Sequence, residues 1–329
     1  MKVIVPLAGK GTRLLPLTKR VPKPLVKVAG RPVMDYVMDT VSGLDLEELI
    51  VITGHLKDQV EQYVTTHYQI PARFVEQKTL DGTAGAIDLA RPFVDGPVMI
   101  IFVDTLFDAD LSIVRDSHAD GILWAKEVED YQRFGVIVTD ERGYMRKIVE
   151  KPDTLISKLA NIGLYYIKDW RTLFDGIAHV MKSAAGKGGE YYLTDAFQYM
   201  VDNGKRLVVG EVTGWYDCGK VDTLLETNEH LLRTGRARRP AGLPADVTIE
   251  EPVYVEDGVA LRDCTIGPNV SLGAGSTVVG GKISHSILGN NVRLRNATLD
   301  HCLIGDDQVV EGKDLTEVVM DGGEQAAAR

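Results

Sequence analysis

Apolar and polar positions follow two different rhythms along this chain, one over the first two thirds and another near the end. Residues 3–7, 48–53 (ELIVIT), 72–76, 98–103 and 121–125 are short apolar runs, the pattern of strands buried on both faces. Between them, residues 32–41, 57–66 and 83–90 carry apolar residues at helical spacing. Further strands are predicted at 134–139, 145–149 and 161–166, and helices in the second half of 188–200 and at 220–232. A βαβα order of this kind predicts an α/β fold with a Rossmann-like, mostly parallel sheet, helices on both faces and ligands at the carboxyl ends of strands.

After residue 247 the rhythm changes. Ile266, Leu272 and Val278 stand six apart, and Leu288, Leu294, Leu299 and Ile304 continue the pattern less regularly, with small residues near them. That period predicts a parallel β-helix of triangular section with four or five coils. The expected domains are therefore 1–235, a solvated basic connector at 236–246, the β-helix at 247–321 and a disordered tail at 322–329.

Charge changes the picture at the start. The net charge is −10, yet Lys2, Lys10, Arg13, Lys19, Arg20, Lys23, Lys27 and Arg31 precede Val33 with no acid among them. Such a local inversion of sign points to an anionic ligand. Gly9 and Gly11, just past the first strand, let backbone N–H groups approach a phosphate closely. Two common phosphate loops are excluded by spacing. G-x-x-x-x-G-K-[ST] is absent, and Leu14 stands where G-x-G-x-x-G needs its third glycine.

What remains is A-G-K-G-T-R at residues 8–13 followed by K-P-L at 23–25. This pair resembles the signature of the sugar-1-phosphate nucleotidyltransferases, which join an NTP to a sugar phosphate. Other segments resemble that family in the same order, from residue 3 to residue 219. The resemblance implies that Leu7, Ala8, Gly9, Gly11 and Thr12 line the NTP. It makes QKTLDGTAGA (77–86) the base loop, with Gln77, Gly82 and Thr83 at the nucleotide. E-K-P at 150–152 becomes the sugar-phosphate element, with Gly135, Glu150, Lys151, Asn161 and Glu190 in the sugar pocket, while Asp195 holds local structure.

The metal assignment rests on two aspartates. Asp104 ends the apolar run VMIIFVDT, where a carboxylate is costly unless it binds something. The resemblance implies Mg²⁺ here, although Val103 and Thr105 depart from the family's usual neighbours. GWYDCG (214–219) resembles W-x-D-x-G, making Asp217 the second carboxylate; Cys218 is then a packed small residue. The implied chemistry is in-line attack of a sugar-1-phosphate on the α-phosphorus of the NTP. Arg13 would meet the departing pyrophosphate, Lys23 the α-phosphate and Lys151 the nucleophile's phosphate, with no general base.

Substrate choice stays open. The opening resembles UDP-glucose pyrophosphorylases, the β-helix tail is commoner in thymidylyl- and guanylyltransferases, and EYYLTD resembles uridylyltransferases for N-acetylglucosamine-1-phosphate. A pyrimidine NTP (dTTP or UTP) with glucose-1-phosphate is preferred; a guanylyltransferase for mannose-1-phosphate or a uridylyltransferase for N-acetylglucosamine-1-phosphate is the alternative. Two other classes compete: a hexapeptide-repeat acyltransferase using His285 or His301, and a non-catalytic regulatory subunit. Retention of Arg13, Lys23, Asp104, Lys151 and Asp217 argues against the second, and the β-helix, which resembles the left-handed β-helices often appended to this family, is expected to serve oligomerisation or to cover an edge.

Composition adds mostly exclusions. No apolar run is long enough to span a bilayer and no signal-peptide pattern opens the chain, so no membrane partner is expected and the cytoplasm is the expected compartment. Cys218, Cys264 and Cys302 are odd in number without CxxC spacing, which predicts neither disulfides nor a zinc site of that kind. A pI near 5.3 argues against nucleic acid. A homo-oligomer is expected.

Overall fold

A computed structural model describes residues 1–328. It divides into two compact units, one of residues 1–9 and 37–215, the other of 10–36 and 216–329.

The first unit holds a ten-stranded sheet. Its strands are β1 (Lys2–Pro6), β2 (Glu48–Thr53), β3 (Ala72–Glu76), β4 (Val98–Ile101), β5 (Thr105–Ala109), β6 (Gly121–Glu127), β7 (Gly135–Thr139), β8 (Met145–Glu150), β9 (Leu159–Ile167) and β10 (Leu207–Asp217). The order along the sheet is β3-β2-β1-β4-β9-β6-β10-β5, with β7 and β8 attached through β9. Its first four strands pair in parallel. β9 then runs antiparallel between β4 and β6, and β10 lies parallel to β6. This antiparallel insertion was not legible, because NIGLYY reads as a buried strand of either direction.

Both faces of the parallel half are buried, as the continuous apolar runs require. Ile4, Ile50 and Ile100 point into one core with Ile87, Leu173, Phe174, Phe197 and Met200. Those residues come from helices α1 (Thr83–Asp88), α2 (Trp170–Val180) and α3 (Leu193–Asp202). The alternating residues Val3, Val5, Leu49 and Val51 are equally inaccessible, so the opposite face is covered too.

The second unit carries the β-helix. Three stacks of short parallel strands form its faces. One contains Val253–Val255, Val270–Leu272, Ile287–Leu288, Leu303–Ile304 and Val318–Asp321. The pairs Val253↔Val270, Leu272↔Leu288, Leu288↔Ile304 and Leu303↔Val319 give a coil of 17 and then 16 residues. Three full hexapeptides would need 18, which is why the sixfold period in the sequence drifts. Inward Val, Ile, Leu and Cys side chains fill the interior, and the stacked parallel architecture is consistent with the left-handed class.

Two boundaries differ from expectation. The tail is a strand, because Glu324–Ala327 pairs antiparallel with Val318–Asp321 and closes the open edge of the stack; of that tail, residue 329 lies outside the described residues. The division near residue 235 also fails, since residues 10–36 cluster with the β-helix. Ion pairs and packing explain it. Lys19 pairs with Glu324, Arg20 lies 3.4 Å from Asp321 and Lys27 3.7 Å from Glu256. A Cβ at Gly30 would sit 2.1 Å from the Tyr254 ring, so the chain there lies flat on the first coil. Even the connector is engaged: Arg238 N–H donates to Val253 O, and Arg238 O accepts from Val255 N–H.

Candidate functional site

The basic loop is held by its glycine. Gly11 has φ +62, and a Cβ on it would meet Thr18 Cγ2 at 2.9 Å and Lys23 Cβ at 3.1 Å. Thr18, wholly buried, donates its hydroxyl to Gly11 O at 2.8 Å. The turn therefore folds back on K-P-L, which explains why the two sequence elements go together. Gly9 is different: nothing lies within 4 Å of where its Cβ would stand, so its absent side chain leaves open space.

The structure also sorts the eight basic residues. Lys2 pairs with Asp95, Arg31 reaches Asp35 at 3.9 Å, and Lys19, Arg20 and Lys27 hold the β-helix. Much of the apparent anion-attracting charge is thus spent on protein carboxylates. Lys10 and Arg13 are exposed and make no ion pair among the described residues. Arg13 lies beside W-x-D-x-G: a Cβ at Gly219 would be 3.1 Å from Arg13 Nη2 and 2.8 Å from Asp217 Oδ1. Asp217 accepts from Gly219 N–H at 2.6 Å through that oxygen, and its backbone carbonyl accepts from Thr227 Oγ1. Lys23 is half-buried, Thr12 exposed and Cys218 buried.

In the first unit the predicted sugar residues converge. Asn161 Nδ2 donates to Gly135 O at 2.9 Å. A Cβ at Gly135 would lie 2.4 Å from Asn161 Nδ2 and 2.7 Å from Glu150 Oε2, so only glycine lets the two side chains meet. Glu150 accepts from Thr194 Oγ1 at 3.2 Å. Its carboxyl is pushed above the ordinary glutamate range, chiefly by burial, with Lys151 and Thr194 opposing. Lys151 Nζ is 3.9 Å from Glu150 Oε1 and 5.4 Å from the centroid of the Tyr192 ring. Lys151 itself has φ 45, an uncommon conformation for a residue before proline, tied down by its N–H to Phe134 O at 2.9 Å. Backbone strain of this sort concentrates at functional sites.

Tyr165 links this cluster to Asp104. It donates to Asn161 Oδ1, and its hydroxyl pKa is raised by burial first and then by the nearby carboxylates of Glu150 and Asp104. Asp104 is half-buried in the turn between β4 and β5. No helix starts there, which removes the reading of Asp104 as a helix cap.

The predicted base loop is braced internally. Gln77, only 8% exposed, donates Nε2 to Asp81 Oδ1 at 3.0 Å and to Gly82 O at 3.3 Å. Both amide hydrogens are thereby engaged, leaving Oε1 as the edge it can offer. Gly82 sits at φ 109, ψ −176, and a Cβ would be 2.4 Å from Tyr191 O. Its glycine is required by the Tyr191 backbone. Thr83 Oγ1 accepts from Leu193 N–H at 2.9 Å, so that hydroxyl serves the start of α3. Leu7 and Ala8 are buried at the end of β1, and Glu190 is exposed beside Gly82.

Sequence reasoning missed Tyr165, Tyr192 and Thr194. All three lie inside segments it singled out, NIGLYY and EYYLTD. Thr194, adjoining Leu193 at the start of a helix, carried the strongest signal, since a hydroxyl there is often spent on capping and here reaches Glu150 instead.

Residues 2–234 match the description of the nucleotidyl transferase family. The chain belongs to that family. Among curated family relatives, the bifunctional protein GlmU of Methanococcus aeolicus is 30% identical over 262 residues, 80% of this chain but 62% of that protein. The chain thus spans less than two thirds of the length of the GlmU proteins it matches. The UTP–glucose-1-phosphate uridylyltransferase AglF of Haloferax volcanii is 30% identical over 223 residues, 65% of this chain and 89% of its own. A solved UDP-glucose pyrophosphorylase complexed with UDP-glucose superposes with a TM-score of 0.64 at 26% identity, covering 71% of this chain and 98% of that one.

Proposed function

We propose that this nucleotidyl transferase moves a nucleotidyl group from an NTP to a sugar-1-phosphate, releasing pyrophosphate, with UTP and glucose-1-phosphate as the first pair to test. The observation that carries the reading is the meeting of Gly135, Glu150, Lys151, Asn161 and Thr194. A buried carboxylate and an amide suit sugar hydroxyls, and an exposed ammonium beside them suits the sugar's phosphate. The uridylyltransferase and UDP-glucose relatives favour a uracil base; dTTP is the pyrimidine alternative.

Attack on the α-phosphorus needs no general base, because a phosphate monoester is already ionised near neutral pH. Lys151 would fix the attacking phosphate. Arg13, exposed and bearing a planar fork of donors, would take the charge gathering on pyrophosphate, and Lys23 the α-phosphate. Asp104 and Asp217 offer hard carboxylate oxygens, the donor class that Mg²⁺ takes one or two of while keeping water and phosphate as its other ligands. A bound ion would supply positive charge to the α-phosphate and leaving group.

The test is a matrix of UTP, dTTP, GTP, ATP and CTP against glucose-, mannose- and N-acetylglucosamine-1-phosphate, read by pyrophosphate release. Turnover should concentrate in the pyrimidine and glucose-1-phosphate cells. No release in any cell sinks the enzymatic reading; release confined to GTP and mannose-1-phosphate sinks the substrate choice alone.

A further inference from the structure

One corner of the β-helix is built unlike the other two. At the turn of each coil a residue takes positive φ, and two corners use residues that tolerate it: Gly275, Asn291, Asp307 and Gly323 at one, Asp263, Gly280, Asn296 and Gly312 at another. The third corner carries Asn269, His285, His301 and Glu317, each sixteen residues after the last, with φ of 61, 43, 51 and 54. Histidine, like asparagine, is enriched at positive φ, so the backbone accepts both rings; what sets this corner apart is that it brings two imidazoles into register on successive coils.

The two rings are oriented. They stack with centroids 4.6 Å apart and 14° between planes. Nδ1 of His285 lies 3.0 Å from Asp300 Oδ1 and Nδ1 of His301 3.0 Å from Oδ2. The two rings thus turn the same nitrogen toward one carboxylate, which also accepts from Ser284 Oγ at 2.7 Å, and the donor atoms of His285, Asp300 and His301 lie within 4.8 Å of one another. Two imidazoles and a carboxylate converging in this way form a mixed donor set of the kind divalent transition metals take.

Asn269, His285, His301 and Glu317 all line one cavity of about 380 Å³, together with Asp222 and Glu226 of the helix Val221–Leu231. Among the described lining residues the histidines are the only bases. Glu229, also on that wall, is matched by Arg233 at 2.7 Å.

We propose that this corner binds one divalent cation of the zinc, cobalt and nickel class, through His285, His301 and a carboxylate oxygen of Asp300, with water from the cavity completing its shell. Mixed imidazole and carboxylate donors suit that class, whereas Mg²⁺ prefers oxygen alone. The site uses no residue of the proposed transferase machinery.

The test uses full-length, untagged, chelator-stripped protein with excess Mg²⁺ occupying oxygen-only sites. Titration with Co²⁺, followed by visible absorption and by calorimetry, should give one equivalent per chain. His285→Ala, His301→Ala and Asp300→Asn should each weaken it at least about tenfold, the loss of one of three protein donors, or about 1.4 kcal/mol. Asp104→Asn should leave it unchanged. Long-range ¹H–¹⁵N spectra of the unmutated chain with Zn²⁺ should shift the ring nitrogens of two of the seven histidines, and this reading survives any variant that does not fold. Absence of a bound equivalent, Co²⁺ affinity unaltered in both histidine variants, or ring shifts at other histidines overturns the proposal.

Discussion

Tyr165 donates its phenolic hydrogen to the side-chain oxygen of Asn161, four residues earlier on the same strand. Regular pleating would not bring the two together in this way; the register slips between Asn161 and Tyr165, at Gly163 with φ 80. The bond leaves Asn161 Nδ2 aimed at Gly135 and fixes the amide's orientation. Tyr165→Phe should therefore weaken sugar-1-phosphate binding about fivefold, the loss expected of one hydrogen bond of about 1 kcal/mol, with NTP binding unaltered. Calorimetry with each ligand checks it; a loss confined to NTP contradicts the assignment.

Gly9 and Gly82 both fall in nucleotide motifs but should respond oppositely to alanine. Gly82→Ala forces a glycine-only conformation and a clash with the Tyr191 backbone, so it should cost about 3 kcal/mol or more of stability. Gly9→Ala meets open space and should keep stability within about 0.5 kcal/mol while weakening NTP binding. Denaturant melts of both variants decide the first half and nucleotide titration the second.

Arg13 and Lys151 are assigned to different substrates. Lys151→Ala should reduce affinity for sugar-1-phosphate about tenfold to a hundredfold, the range for a charged hydrogen bond, and barely touch NTP. Arg13→Ala should weaken NTP and slow turnover as well. Titrating the sugar phosphate in the presence of a non-reactive NTP analogue separates the two, and an exchanged pattern of losses would show that the roles are swapped.

Glu150 gives a pH signature. Its folded pKa lies above the ordinary value of 4.5, so ionisation opposes folding: the chain loses stability as pH rises from 4.5 through the raised value. Glu150→Gln removes that cost. The variant should melt higher than the native chain at pH 7, with the difference shrinking on acidification and gone below pH 4.5, where the carboxyl is protonated folded or unfolded. A difference that stays constant with pH would assign it to packing instead.

The β-helix is no detachable accessory for the basic loop. A chain ending at Arg233 lacks Tyr254, Glu256, Asp321 and Glu324, the partners of Gly30, Lys27, Arg20 and Lys19. It should bind NTP at least about tenfold more weakly than the full chain, a change of about 1.4 kcal/mol. Equal affinity in the two would mean the loop holds its shape unaided.

Local pattern made the parallel strands legible, because runs such as ELIVIT fit only a strand hidden on both faces. The meeting of Gly135, Glu150, Lys151 and Asn161 was legible through motifs that keep short-range order. Long-range partners were not. Nothing in QKTLDGTAGA indicates that Gly82 answers to Tyr191, and nothing in the basic opening marks which cations are matched by acids some three hundred residues later. His285 and His301 were visible as residues, but their stacking escaped because they stand sixteen positions apart, a period invisible until the coil length is known.

The second unit is assembled from two stretches of chain, 10–36 and 216–329, and Lys19 meets Glu324 across 305 intervening positions. Contacts at that separation are rewarded only after a long loop has closed, so the basic loop and the coils that hold it form one late-folding, mutually dependent unit.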